Sequence, residues 1–342
     1  MNALAEAIDA AGWGNVGVYL ALFLGASFLM VWRLEALLKH GLEGTALGTL
    51  VMPYCSGLGN LMFVAIVWRM RAPVEEVLTN CIVNNVTNLT LVLGLAAIVW
   101  GLPLGGGERE VRKRKRASTE GRTAKGGEVA RELSRLSLLL TVAAVLFFGA
   151  ATWVLGEDGV LDRRDGLVLV GLFLFWQCFQ VFDVMKHNVR ERRRFGAGFY
   201  VDVGIVVVGA YALWASIDWL VAWLGAQEGE FVNAGNLGWL SGWLMVVPNA
   251  LLAFYYAAKR RGDVAYASQV GDGHICIPLC VGLAAIGSPI AVSGVFAPGL
   301  AVIAAAGVVH GACVTFAGGL PKWAGWPLVV GYGVFLGLGF AG

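Results

Sequence analysis

Two hydrophobic runs carry polar side chains where a lipid-facing helix would not hold them. The first is TALGTLVMPYCSGLGNLMFVAIVW (45–68), with Ser56 and Asn60 beside Pro53, Gly57 and Gly59. The second is VLTNCIVNNVTNLTLVLGLAAIVW (77–100), with Asn80, Asn84, Asn85, Thr87 and Asn88. At bilayer depth, polar groups and interrupted helices are tolerated only against protein or a water-filled cavity. These two spans therefore read as lining a protein-enclosed or water-filled cavity.

The second half of the chain echoes the first. GLAAI occurs at 94–98 and again at 282–286, an offset of 188. At that offset Asn84 falls on Asp272 and Asn88 on Cys276; with one residue of slack Asn60 falls on Asn249. A break, a charged turn and a polar span recur in the same order. Interrupted hydrophobic segments in matching positions of two halves are the best pointer in a sequence to a transporter binding site.

Each residue also has a plainer role. Asn60 and Asn249 would satisfy backbone groups freed at helix breaks, and Asp272, between two glycines, would sit in a loop. Its place well inside a hydrophobic span argues for the cavity instead. His274 would serve as a ligand or proton relay, or face another helix; His310 reads as a packed or hydrogen-bonded side chain. Asp183, Asp202 and Asp218 lie near span ends, where snorkelling to the interface is the default. Cys55, Cys276 and His274 together would suit a soft metal, but their spacing matches no metal motif.

The elements that must hold these residues follow from composition. Of 342 residues, 58% are hydrophobic and 14% charged, with mean hydropathy +0.72; a soluble domain is about a quarter charged. The expected fold class is an all-α polytopic membrane protein, and a nucleic-acid partner is not expected. A crossing helix needs about 20 apolar residues. Ten spans result: 15–32, 45–68, 78–100, 134–155, 166–186, 199–225, 235–258, 264–286, 290–313 and 324–341. Loops after odd-numbered spans hold 21 of the 25 Lys and Arg residues. Those loops are therefore cytoplasmic, both termini lie outside, and two five-helix halves of opposite orientation follow.

The expected organisation is a first-repeat core at 1–103, a basic flexible cytoplasmic linker at 104–133, spans 4–5 at 134–186, a basic cytoplasmic loop at 187–198 and a second repeat at 199–342. The linker (EREVRKRKRASTEGRTAKGGEVARE, 108–132) has no apolar period. It and ERRRF at 191–195 read as topology anchors that can touch anionic headgroups of the lipid bilayer. The six cysteines lie in apolar spans and read as small buried residues rather than a disulfide frame. Several of the 13 tryptophans lie at span ends, as interfacial belts do. The N-terminus carries Glu6 and Asp9 and no basic region, so a cleaved signal peptide is not expected.

CSGLGNL (55–61) with TNCIVNNVTNLTLVLGL (79–95), and VVPNALL (246–252) with GD (262–263) and VGDGHICIPLCVGLAAI (270–286), resemble the two α-repeats of the cation/calcium exchanger superfamily, the sodium/calcium exchangers and relatives. The resemblance covers both halves and implies ten helices in two inverted repeats. It implies an ion site lined by Ser56, Asn60, Asn84, Asn88, Asn249, Asp272 and Cys276. Where that family holds two midplane acids, this chain has Asn60 and Asn249, which leaves Asp272 as the one formal charge among the matched positions. The function implied is secondary active exchange of a small cation (sodium, a proton or calcium) in a bacterial inner membrane, with no cofactor and no separate metal site. The rivals are a membrane protein that kept the fold and lost the ion site, and an intramembrane enzyme using Asp272 and His274. For the enzyme no second carboxylate or nucleophile is suitably spaced.

The charge bias generates a test. A tag placed in 104–132 should label only from the cytoplasmic side, and one in 157–165 only from outside; labelling of both from one side would refute the ten-span topology.

Overall fold

The computed structural model describes residues 14–39, 52–103, 124–188 and 196–341. In lipid every backbone polar group must be satisfied within its own segment, so hydrophobic runs of this length become helices. The described residues form α1 (Gly14–Lys39), α2 (Met52–Met70), α3 (Glu75–Trp100), α4 (Ala124–Leu155), α5 (Arg163–Asn188), α6 (Ala197–Gly225), α7 (Leu237–Ala258), α8 (Gly262–Gly287), α9 (Phe296–Ala312) and α10 (Gly325–Ala341). Among the described residues eight helices are long and apolar enough to cross a membrane; the apolar stretches described in α1 and α2, Val16–Met30 and Gly57–Met70, are shorter. Residues 45–51 of the expected second span and 104–123 of the expected linker lie outside the described residues. Helix α4 begins at Ala124, ten residues before the expected span, because the helix formers of AKGGEVAREL continue its first turns.

Two-residue strands β1 (Leu102–Pro103), β2 (Val160–Leu161), β3 (Ile290–Ala291) and β4 (Gly319–Leu320) close the helix ends. They pair antiparallel, β1 with β4 and β2 with β3. Helix α5 starts at a cap: the Asp162 carboxylate accepts the backbone N–H of Arg164 at 2.6 Å and of Asp165 at 3.0 Å, while Asp165 accepts from the Asp162 N–H at 2.8 Å. Those backbone donors, first from Asp165 and then from Arg164, hold the Asp162 carboxyl below the usual carboxylate range.

The packing is two-fold. Helix α1 lies against α6 and α4 against α9. Helix α2 packs on α8 as α7 packs on α3, and the end of α8 meets α5 as the end of α3 meets α10. Exchanging every helix for the one five positions on returns the same pattern, strands included. The repeated glycines sit at equivalent contacts. A Cβ on Gly94 would lie 3.0 Å from the Gly325 carbonyl oxygen of α10, and one on Gly282 would lie 3.0 Å from the Gly166 oxygen of α5. Small residues let membrane helices approach backbone to backbone where no hydrophobic gradient drives them together.

Helices α3 and α8 form the centre. In each, 78% of the most apolar stretch is buried, against 22–56% in the other six full-length helices. Both are locally π-helical, over Thr87–Val92 and Cys276–Val281, two segments that begin 189 residues apart. The interruptions expected in the second and seventh spans fall here instead. Helix α2 is continuous from Met52 and α7 runs through Pro248. Gly57 and Gly59 of α2 serve contact rather than a break: a Cβ there would lie 2.9 Å from Ile275 of α8 and 2.7 Å from the Met245 sulfur of α7.

At the periphery, Arg33 of α1 pairs with Asp202 of α6 at 2.9 Å, and Arg69 of α2 with Asp218 of α6. Asp202 and Asp218 are thus held by arginines on neighbouring helices rather than simply snorkelling; the side chain of Asp183 lies outside the described residues.

The glycine contacts generate a test with an internal control. A Cβ on Gly166 would meet the Gly282 oxygen at 2.6 Å and the Ile286 nitrogen at 2.8 Å, whereas none of its neighbours approaches Gly171 on the same helix. Gly166→Ala should lower stability by roughly 1–3 kcal/mol, read as a lower thermal midpoint in detergent. Gly171→Ala should leave it unchanged or raise it.

Candidate functional site

The polar spans converge on the contact between α3 and α8. Asn84 Nδ2 donates to Asn60 Oδ1 of α2 at 2.9 Å. Asn88 Nδ2 donates to Asn84 Oδ1 at 2.6 Å and to Asp272 Oδ2 of α8 at 2.9 Å. One hydrogen-bonded chain thus runs from the first half of the molecule into the second. Asn60, Asn84, Asn88 and Asp272 are all 0% exposed. Asp272 is the only completely enclosed acid among the described residues.

Local sequence explains the convergence. Residues 81, 84, 85 and 88 follow the one-face spacing of a helix, and α3 turns that face to α8. Cys81 meets the thiols of Cys276 and Cys280, and Cys276 meets the amide of Asn85. Gly273 makes the close approach possible, since a Cβ there would lie 2.8 Å from Asn85 Oδ1 and 3.2 Å from Val145.

The second half contributes differently. Asn249 is 3% exposed, and its backbone oxygen accepts from Gln269 Nε2 at 3.0 Å; that nitrogen also donates to Ser268 Oγ at 3.0 Å. Asn80, fully buried, donates to Ser241 Oγ of α7 at 2.9 Å. Asn60 Nδ2, Asn88 Oδ1, Asn249 Nδ2 and Gln269 Oε1 are enclosed with no protein hydrogen-bond partner among the described residues. Such groups are costly in a dry interior and mark where water or an ion contributes.

Of the seven candidates, the structure joins Asn60, Asn84, Asn88 and Asp272 in the chain. It sets Cys276 on the adjoining thiol face and Asn249 beside Gln269. The Ser56 side chain lies outside the described residues. Gln269, Ser241, Cys81 and Cys280 were not picked out from the sequence. Gln269, three residues before Asp272 on α8, had a readable signal: it is a neutral polar residue inside an apolar span.

The histidines face away from the chain. His274 Nε2 bonds the Thr141 oxygen of α4 at 2.8 Å, and its ring lies edge-on to Phe148 and Trp176. His310 Nε2 bonds the Leu89 oxygen at 2.8 Å, inside the π-helical segment of α3. That orientation separates His274 from Asp272, so the pairing an intramembrane enzyme would need is absent between them. Among the described residues no three His, Cys, Asp or Glu side chains gather to hold a metal ion; of the soft-metal trio, the Cys55 side chain is outside them.

Ten helices among the described residues, eight of them long and apolar enough to cross a membrane, with the same packing pattern in two halves and polar side chains enclosed where the halves meet, define a polytopic membrane protein of exchanger type. The chain belongs to the sodium/calcium exchanger protein family, whose family model matches residues 11–182. The fold is also that of solved structures of the sodium-calcium exchanger NCX_Mj. The crystal soaked with 2.5 mM Na+ and 10 mM Sr2+ matches with TM-score 0.65 at 16% identity, over 94% of this chain and 96% of that one. The crystal soaked with 100 mM Na+ and 10 mM Sr2+ gives 0.66 at 16% identity, over 93% and 95%. The one soaked with 10 mM Na+ and zero Ca2+ gives 0.65 at 16%, over 96% and 97%. No curated protein sequence matches the chain.

The bridge at Asn88 generates a test. Asn88→Leu removes the donor to Asp272 and leaves Asn84 Oδ1 without its own, a loss of roughly 1–3 kcal/mol. Thr90 Oγ1 donates only within its own helix, to the Val86 oxygen, so Thr90→Val should cost less than about 1 kcal/mol. Thermal unfolding in one detergent compares the two, and equal effects would deny the bridge its role.

Proposed function

We propose that the protein is a secondary active transporter that exchanges a cation across the membrane by alternating access, coupled to sodium or protons, with Ser56, Asn60, Asn84, Asn88, Asn249, Asp272 and Cys276 lining the ion path. The observation that carries this reading is the buried chain from Asn60 to Asp272 across the meeting of the two halves. A structural core in lipid gains nothing from four enclosed polar side chains that apolar residues would replace more cheaply. A centre whose function is to take an ion out of water requires them.

The donor set bears on which ion. Calcium usually takes about 6–8 oxygens, several of them from carboxylates. The positions named here offer one carboxylate, with amides, a hydroxyl and a thiol around it. Burying a carboxylate has an effective cost of several kcal/mol, and a hydrogen bond to a charged group returns about 1.5–3. Neutralising Asp272 is therefore the largest electrostatic gain the site offers, and one monovalent cation or one proton suffices for it. The amides at 60 and 249 favour a second reading, in which the chain kept the exchanger fold and lost the ion site.

Flux into vesicles holding the purified protein, screened across sodium, potassium, calcium and manganese with and without a pH gradient, separates the two; no flux of any ion leaves the second reading standing. The first requires that Asp272→Asn, nearly isosteric, abolish flux while the protein stays folded. Calorimetry should show weak calcium binding by the wild type and stronger divalent binding by Asn60→Glu with Asn249→Glu. Tight calcium binding that survives Asp272→Asn would place the site elsewhere.

A further inference from the structure

A second set of enclosed polar atoms lies where α8 and α9 meet the π-helical segment of α3. His310 of α9 bonds the Leu89 oxygen through Nε2 at 2.8 Å. A carbonyl only accepts, so Nε2 carries the hydrogen and Nδ1 of the neutral ring is an acceptor. That Nδ1 is enclosed with no protein hydrogen-bond partner among the described residues, and so is the hydroxyl of Tyr266 on α8. The two rings lie edge-on with centroids 5.2 Å apart, and both residues are 0% exposed.

Two more atoms in the same condition flank that pair. Asn88 Oδ1 belongs to the residue just before Leu89. Asp263 Oδ1 belongs to the first turn of α8, three residues before Tyr266 and therefore on the same face of the helix. Asp263 itself is half-buried. The four groups thus lead from the end of α8 inward to the polar chain, a rise of about 14 Å along the helix between positions 263 and 272.

These groups cannot satisfy one another. The carboxylate oxygen of Asp263, the amide oxygen of Asn88 and His310 Nδ1 all accept, and the Tyr266 hydroxyl has one hydrogen to give. Two acceptors are left over whichever one the hydroxyl serves. Cys313 of α9 brings a thiol beside Tyr266, but S–H is a weak donor. An enclosed polar group without a partner is costly, and buried water is the usual remedy where several such groups lie together. Water fits the chemistry, because it donates twice and also accepts from the hydroxyl.

We propose that a row of bound water runs from Asp263 past Tyr266 and His310 to Asn88, and joins the polar centre to the face at which α8 begins. His310 has two tasks in it. Nε2 holds the Leu89 oxygen that the π turn frees, and Nδ1 faces the water. The other buried histidine offers a contrast: His274 bonds the Thr141 oxygen, and Phe148 and Trp176 stand edge-on to its ring. The row deepens the transport reading, as the aqueous route by which one face reaches the site. It rests on that reading for its purpose and not for its existence.

Radiolytic footprinting of the full chain in lipid tests the row, since X-rays make hydroxyl radicals from bound water in place and oxidise the side chains beside it. Mass spectrometry of the wild type should find oxidised Tyr266 and His310, although both are enclosed, and unmodified His274 and Phe148. A direct hydrogen bond from Tyr266 to His310 without water would leave both unlabelled and overturn the row. Equal labelling of His274 and Phe148 would overturn it too, because the oxidation would then not follow the row. Tyr266→Phe keeps the ring and removes one of the partners, so the His310 label should be lost; a label that persists there would mean that the hydroxyl holds no part of the row. Where that variant fails to fold, the wild-type pattern alone decides. Labelled Tyr266 and His310 in a protein without ion flux would sink the transport reading and leave the row standing, and flux with both unlabelled would do the reverse.

Discussion

Asn88 touches both Asn84 and Asp272, and through them ties α2 and α3 of one half to α8 of the other. In water such a contact would contribute little, because each partner would have solvent as an alternative. In a membrane interior the alternatives are hydrocarbon or another protein group, so the cost lies in leaving the partners unmatched. That constraint shapes the centre. Helices α3 and α8 must be enclosed, because their polar faces cannot meet lipid, and the remaining helices are arranged to enclose them.

Enclosure needs close packing, which small residues and local helix distortions supply. Gly94 against α10 and Gly282 against α5 bring backbones to contact distance at symmetry-related places. The π-helical segments over Thr87–Val92 and Cys276–Val281 widen the two central helices just beyond Asn84 and Asp272. A π turn leaves backbone groups out of the regular ladder. In α3, Leu89 gives one such oxygen to His310. In α8, Pro278 lies within the π turn and brings no N–H of its own. The same distortion serves in both halves, but different residues satisfy it.

Much of this was legible in the sequence because membrane helices advertise themselves. Hydropathy and the repeated GLAAI marked the spans and the two-fold relation, and misplaced asparagines marked α3 as central. Four features were missed, each for a physical reason. Pro53, Gly57, Gly59 and Pro248 read as breaks, yet α2 from Met52 and α7 are continuous; Gly57 and Gly59 are there for proximity, a tertiary requirement with no local signature. Conversely, the π segments arise in TNLTLV and CIPLCV, of which only the second has a helix-breaking residue. Asp202 and Asp218 read as interfacial, but arginines on other helices reach them, and periodicity along one helix says nothing about its neighbour. Gln269 escaped notice because a lone neutral amide in an apolar span is a weak signal until its partner, the Asn249 backbone, is in place.

Amides rather than carboxylates at positions 60 and 249 change more than charge. A carboxylate at position 60 could only accept from Asn84, whereas the amide accepts there at Oδ1 and keeps an enclosed Nδ2. An amide has one donor side and one acceptor side of nearly equal shape, which makes its orientation a variable that a neighbour can set. The centre then holds one carboxylate, Asp272, with amides along the chain that reaches it. A Cβ on Gly273 would strike Asn85, and the thiols of Cys81, Cys276 and Cys280 bring no second formal charge in their neutral form. The packing around Asp272 thus keeps the amides of the chain close to a single carboxylate.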